Sequence, residues 1–248
     1  MSRFSEKSFV ITGGTSGIGF ATALSIAKEG GRVLVTGTGQ ERLEAAATAH
    51  PNIEAVFNDA SDFNTADRLA EEVRKRFGLI DGAFLNAGKG GGAILGEITP
   101  ELYRELVDLN VGGVLFGVQA LSSLVKDGGS LVLMSSLAKD KGMAGGAVYS
   151  AAKGAVRSMT RAFARELLSR RIRVNAVSPG PIHTPFFKRT GRTDEAVEQM
   201  QSAFCKSNPM GRMGTADEVA SVVLFLLSDE ASYVTGTDYA VDGGEAQI

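Results

Sequence analysis

The chain has 248 residues, with 44% apolar and 22% charged side chains and a formal net charge of -2. That length suffices for one α/β domain with a full core, and the composition is that of a soluble globular protein. So mild a charge argues against a polyanion binder, because affinity for a phosphate backbone needs a basic excess on one face.

Cys205 is the single cysteine, so no intrachain disulfide can form, and it reads as an incidental thiol. Met1 to Lys7 is short and polar and leads directly into Phe9-Val10-Ile11. No secretory signal stands there, and no apolar run nears the roughly 18 residues of a membrane span. A cytoplasmic protein with no membrane partner is expected. Two histidines and one cysteine make a transition-metal site improbable. The tail Glu245-Ala246-Gln247-Ile248 leaves a C-terminal divalent cation open.

Short apolar runs alternate with amphipathic segments along the chain. Strands are expected at Ser8–Thr12, Arg32–Thr36, Ile53–Asn58, Ile80–Asn86, Ser130–Ser135, Arg173–Val177 and Asp238–Val241. Helical spacing falls at Gly17–Glu29, Gln40–Thr48, Ala66–Phe77, Glu101–Leu124, Tyr149–Ser169 and Ala216–Leu227. This alternation predicts a single-domain, Rossmann-like doubly wound parallel sheet of about seven strands, with helices on both faces. Such sheets bind ligands at the carboxyl ends of their strands. The long stretch Ser178–Thr215, with a helix near Glu195–Cys205, reads as a binding loop, its substrate part at about 181–215.

The first strand runs into Thr12-Gly13-Gly14-Thr15-Ser16-Gly17-Ile18-Gly19 and then a helix. Glycines there let the backbone turn tightly and approach a diphosphate, and the helix start offers free N–H groups. The spacing is T-G-x-x-x-G-x-G. Asp59 follows the third strand, and Asn86-Ala87-Gly88 ends the fourth. Tyr149-x-x-x-Lys153 opens a later helix, and Pro179-Gly180 follows the sixth strand with Thr184 close behind. From about Ser8 to Gly244 the chain resembles the short-chain dehydrogenase/reductase family.

That resemblance implies a nicotinamide cofactor held by Gly13, Thr15, Ser16, Gly17, Ile18 and Gly19. Thr38, Asp59 and Ala60 would take its adenosine end. Asn86, Ala87 and Gly88 would follow, and Tyr149, Lys153, Pro179, Gly180, Ile182 and Thr184 would meet the nicotinamide side. It also implies a catalytic set of Asn110, Ser136, Tyr149 and Lys153. Tyr149 would donate the proton, its pKa lowered by Lys153 one turn along the same helix face. Ser136, thirteen residues before Tyr149, would hold the substrate oxygen, and Ser135 would be a structural strand end. Asn110 is a poor mid-helix residue, so it marks either a helix bend or, as the resemblance implies, a backbone carbonyl holding a relay water.

Gly37 stands where NAD-preferring relatives carry an acid, so NADP(H) is the preferred cofactor and NAD(H) the alternative. Arg42 reads more readily as a solvated helix residue than as a phosphate ligand. Leu137, Met143, Ile94, Phe186, Phe187, Phe204, Met210 and Met213 suggest an apolar carbonyl substrate. Lys139-Asp140-Lys141 reads as a solvated turn. The expected activity is ketone reduction or alcohol oxidation, with a small-molecule partner and a homotetramer as the family implies. A 3-oxoacyl-[acyl-carrier protein] reductase and a non-catalytic NADP-sensing protein are the alternatives. Enoyl reduction fits less well, because relatives with that activity space Tyr and Lys more widely.

Overall fold

A computed structural model describes residues 2–186 and 193–248. Among them a seven-stranded parallel sheet runs in the order β3-β2-β1-β4-β5-β6-β9. Its strands are β1 (Ser8–Thr12), β2 (Arg32–Gly37), β3 (Ile53–Phe57), β4 (Ile80–Leu85), β5 (Val125–Met134), β6 (Arg173–Pro179) and β9 (Asp238–Val241). The order reverses between β1 and β4, where Phe9 pairs with Gly82 and Thr12 with Leu85. A crevice opens outside the strand ends at such a reversal.

Alternation along each strand divides the core into two layers. Phe9, Ile11, Val33 and Val35 face α1 (Gly17–Lys28) and α8 (Ala216–Leu227), against Ile26 and Val223. Val10, Leu34 and Leu131 face the other way, toward α3 (Thr65–Phe77), α5 (Gly113–Ser122) and α6 (Ala147–Glu166). α2 (Gln40–Thr48) completes the covering beside β2 and β3. Helix α8 starts on a capping box, in which Thr215 and Glu218 satisfy each other's backbone N–H groups. Among the described residues no helix is long and apolar enough to cross a membrane.

Three departures from the expected elements matter for the site. The single helix expected at Glu101–Leu124 is divided into α4 (Pro100–Val107) and α5 by a π-helical turn, Asp108–Gly112. Asn110 sits inside that turn, and its side-chain amide donates to Leu106 O at 2.9 Å. That carbonyl is the one an α-helix offers to the backbone N–H four residues on, so the side chain competes with the helical ladder.

The strand expected from Ser130 begins at Val125, with a register irregularity between the Ile80 and Gly82 pairs. Residues 126–129, between the Val125 and Ser130 pairs, form that irregularity. The long loop after β6 is pinned by two short strands, β7 (Ile182–His183) and β8 (Gly214–Thr215), which pair in parallel. Between them in sequence lies α7 (Asp194–Ser207). A two-residue strand is too short to show a period in sequence.

Candidate active site

The carboxyl ends of β1, β4, β5 and β6 open onto one cleft, lined among others by Gly13, Ser16, Gly17, Ile18, Asn86, Ala87, Gly88, Ser136, Tyr149 and Lys153. Pro179, Gly180, Ile182 and Thr184 form its far wall. Thr15, Gly19, Thr38, Asp59 and Ala60 do not line the cleft itself; they lie in the glycine turn, at the start of α1 and just past β2 and β3. One Asp59 carboxylate oxygen accepts from the Ser61 N–H at 2.9 Å and the Ser61 hydroxyl at 2.7 Å.

The glycine turn is a cradle that side chains would fill. Gly13 and Gly17 have φ of +61° and +55°, the left-handed region that favours glycine. A Cβ on Gly19 would lie 2.5 Å from Asn86 Nδ2 and 2.7 Å from Gly13 O. The Asn86 amide donates to Thr12 O at 3.0 Å and Gly13 O at 3.1 Å, so it holds the turn against the end of β4. The Thr12 hydroxyl accepts from the N–H groups of Asn86 and Ala87. These bonds fix an exposed backbone surface of the kind a diphosphate needs. Gly19→Ala should therefore cost about 1–3 kcal/mol of stability and weaken cofactor binding together. A thermal melt and a cofactor titration check both; an unchanged melting temperature would show the cradle to be looser than described.

Ser136 begins a short 3₁₀ turn after β5, and its hydroxyl accepts from the Ala138 N–H at 3.2 Å. The neighbouring Ser135 is buried and donates to Lys153 O in α6 at 3.0 Å, a structural contact as its strand-end position suggested. Tyr149 and Lys153 share one face of α6, with Lys153 Nζ 5.7 Å from the Tyr149 ring centre. Lys153 Nζ donates to Met134 O, the last carbonyl of β5, at 3.0 Å.

Burial governs both groups. It pushes the Tyr149 hydroxyl up to about 12, opposed by a hydrogen bond with Ser136. Burial also pushes Lys153 down to about 7. The tyrosine is thus held as a neutral acid by its surroundings, where the sequence suggested a value lowered by Lys153.

Asn110 is fully buried and donates to Lys89 O and Leu106 O, each at 2.9 Å. Among the described residues its Oδ1 has no hydrogen-bond partner. A Cβ on Gly88 would lie 2.8 Å from that oxygen and 3.4 Å from Lys153 Nζ, so Gly88 lies between the two groups.

Of the expected apolar lining, Leu137, Met143, Phe186 and Phe204 face the cleft. Phe186 stands 6.4 Å from Tyr149, ring centre to ring centre. Ile94 and Met210 are exposed elsewhere, Met213 does not line the cleft, and Phe187 lies outside the described residues. Met134, Ala138 and Pro185 line it without having been singled out in sequence, as does Glu245, which the sequence placed only in a tail open to a cation. The run at 139–141 is more engaged than a solvated turn. Lys139 pairs with Asp140 and with Asp238 at 2.9 Å, and Lys141 pairs with Glu245 at 3.0 Å.

A cleft at the strand ends of a Rossmann-type sheet, with a buried lysine beside a tyrosine, defines a dehydrogenase or reductase. The family model described as enoyl-(acyl carrier protein) reductase matches residues 13–245. Levodione reductase of Leifsonia aquatica is 35% identical, over 98% of this chain and 96% of that protein. The 3-oxoacyl-[acyl-carrier-protein] reductase FabG of Thermotoga maritima is 36% identical, over 98% of each. A solved short-chain dehydrogenase/reductase from Brucella melitensis, described as a glucose/ribitol dehydrogenase, superposes with a TM-score of 0.91 at 33% identity, covering 98% of both chains. The chain belongs to the short-chain dehydrogenase/reductase family, and it is an oxidoreductase acting on CH–OH/C=O groups with a nicotinamide cofactor.

Proposed function

We propose that this enzyme interconverts a ketone and a secondary alcohol, acting as an NADP(H)-dependent carbonyl reductase. The observation that carries this reading is the Tyr149 hydroxyl hydrogen-bonded to Ser136 in the same cleft as buried Lys153. A bound nicotinamide cofactor, held by the glycine turn, would supply hydride for the carbonyl carbon. Ser136 and Tyr149 hold the carbonyl oxygen, and Tyr149 transfers its phenolic proton to that oxygen as the alcohol forms. The resulting phenolate is stabilised by the Lys153 cation. Lys153, poised near neutral pH by burial, returns the proton to Tyr149. Lys153 then regains its proton from solvent through a water that the Asn110 backbone carbonyl would hold. Oxidation runs the same steps backward. Loss of absorbance at 340 nm on mixing the protein with NADPH and a panel of ketones tests the reading; no loss with any ketone sinks it.

Binding falls to the glycine turn for the diphosphate and to Lys153, Ile182 and Thr184 at the nicotinamide end. Two features support NADP(H) over NAD(H). First, a Cβ on Gly37 would lie 2.7 Å from Thr15 Oγ1, so Thr15 fills the space of an acidic side chain at the end of β2. Second, Arg42 folds back over Gly39, its Nη2 2.6 Å from where a Cβ would stand. Among the described residues Arg42 has no ion-pair partner, so a guanidinium is available beside Thr38 for a 2′-phosphate. Arg42→Ala should raise KM for NADPH about tenfold and leave KM for NADH nearly unchanged. Equal effects on both cofactors would remove Arg42 from the phosphate site.

The proposal extends to a cytoplasmic homotetramer of single-domain subunits, each with its substrate loop at about 181–215. Phe63, Tyr103 and Leu115 stay exposed around α4 and α5, and Tyr233 beyond α8, which is apolar surface suited to subunit contacts.

A further inference from the structure

The substrate end of the cleft is apolar except at one point. Leu137, Met143, Phe186 and Phe204 line it together with Glu245. That side chain is only 8% exposed. A buried carboxylate is costly unless hydrogen-bonded, and Glu245 is held from two sides. Lys141 Nζ, from the segment after β5, donates to Oε1 at 3.0 Å. Asn208 Nδ2, just past α7, donates to Oε2 at 3.1 Å.

Asn208 also donates to Asp242 O at 2.7 Å, and Asp242 accepts from the N–H groups of Gly244 and Ala246. The carboxylate is therefore held by two separate parts of the chain, and its own segment is braced by Asp242. A carboxylate offers about four acceptor positions, and these two bonds fill two of them. Its charge is balanced by Lys141, so the remaining capacity suits a neutral donor.

We infer that Glu245 is a specificity-determining residue that accepts a hydrogen bond from a hydroxyl on the substrate, remote from the reacting carbonyl. The enzyme's preferred ketones are then hydroxyketones, and the corresponding alcohols are diols. This rests on the ketone-reductase reading above and adds the feature that distinguishes one ketone from another.

The test compares matched ketones in the NADPH assay: cyclohexanone against 4-hydroxycyclohexanone, and 4-phenylbutan-2-one against its para-hydroxyphenyl analogue. The two pairs set the hydroxyl at different distances from the carbonyl. In the unaltered enzyme the hydroxyl should raise kcat/KM about tenfold in at least one pair, the scale of a hydrogen bond to a charged group. Glu245→Ala should bring that ratio to about one, and Glu245→Gln, which keeps the side-chain shape if the alanine chain does not fold, to within about threefold. Lys141→Met removes the tie between the walls and leaves the carboxylate, so the ratio should persist there.

A ratio near one for both pairs in the unaltered enzyme overturns the inference and leaves the reductase reading standing. So does a ratio that survives Glu245→Ala, or one lost equally in Lys141→Met, which would mark Glu245 as a tie alone. No turnover of any ketone with either NADPH or NADH overturns both.

Discussion

Replacing Tyr149 by phenylalanine should lower kcat about a thousandfold, within the range general-acid groups contribute, while NADPH affinity stays within a few-fold. The ring remains, so its contact with Phe186 and the shape of the cleft remain. Only the hydroxyl goes, and with it the proton that the developing alkoxide requires. Burial holds that hydroxyl protonated up to about pH 12, so the acid is loaded across the whole physiological range. Steady-state turnover and a fluorescence titration of NADPH separate the two effects. Turnover near that of the unaltered enzyme would remove Tyr149 as the acid.

Lys153→Met should abolish most turnover and at the same time make the ligand-free protein more stable near neutral pH. The lysine is 2% exposed, and burial pushes its pKa from 10.5 down to about 7. Between those values the unfolded chain carries a proton that the folded chain lacks. Stability therefore rises with pH across that window. Tyr149 acts in the opposite sense from about pH 10, where the unfolded phenol ionises and the folded one does not. The two groups together favour the folded state most near pH 10.

Methionine fills similar space with no charge to desolvate. After allowance for the unpaired Met134 carbonyl, the gain at pH 7 should be about 2 kcal/mol. Melting temperatures from pH 7 to 10 check this. The unaltered protein should gain stability over that range and the variant should not. A variant less stable than the parent at pH 7 would show that the Met134 contact outweighs the buried charge.

Much of the fold was legible in sequence because its signals are local. Runs such as Phe9-Val10-Ile11 are apolar on both faces, as a doubly covered parallel strand must be, and the glycine turn sits directly after one. The pair Tyr149 and Lys153 was legible for the same reason, since four residues on a helix fix a shared face. Where signals were non-local, the reading ran out. A helix bend at Asn110 was legible, and the π-turn stands there, but the amide's reach to the Lys89 carbonyl, 21 positions away, was not. Lys141 looked like a solvated charge because its partner Glu245 is 104 positions away.

The π-helical turn at Asp108–Gly112 has a further consequence, for rotational phase. Each α-helical residue advances the side-chain direction by about 100°, so one residue more or fewer turns everything downstream by that angle. Val114, Val118 and Leu121 of α5 are buried against the sheet, while Asn110 just upstream packs toward Gly88 and the cleft. The wider turn absorbs the angular difference between those two directions. Deleting one residue there to restore a regular helix would swing either Asn110 away from Lys153 or the α5 valines away from the core. The helix is thus out of step with itself by design of its fold, and the length of that turn is as constrained as the identity of any residue within it.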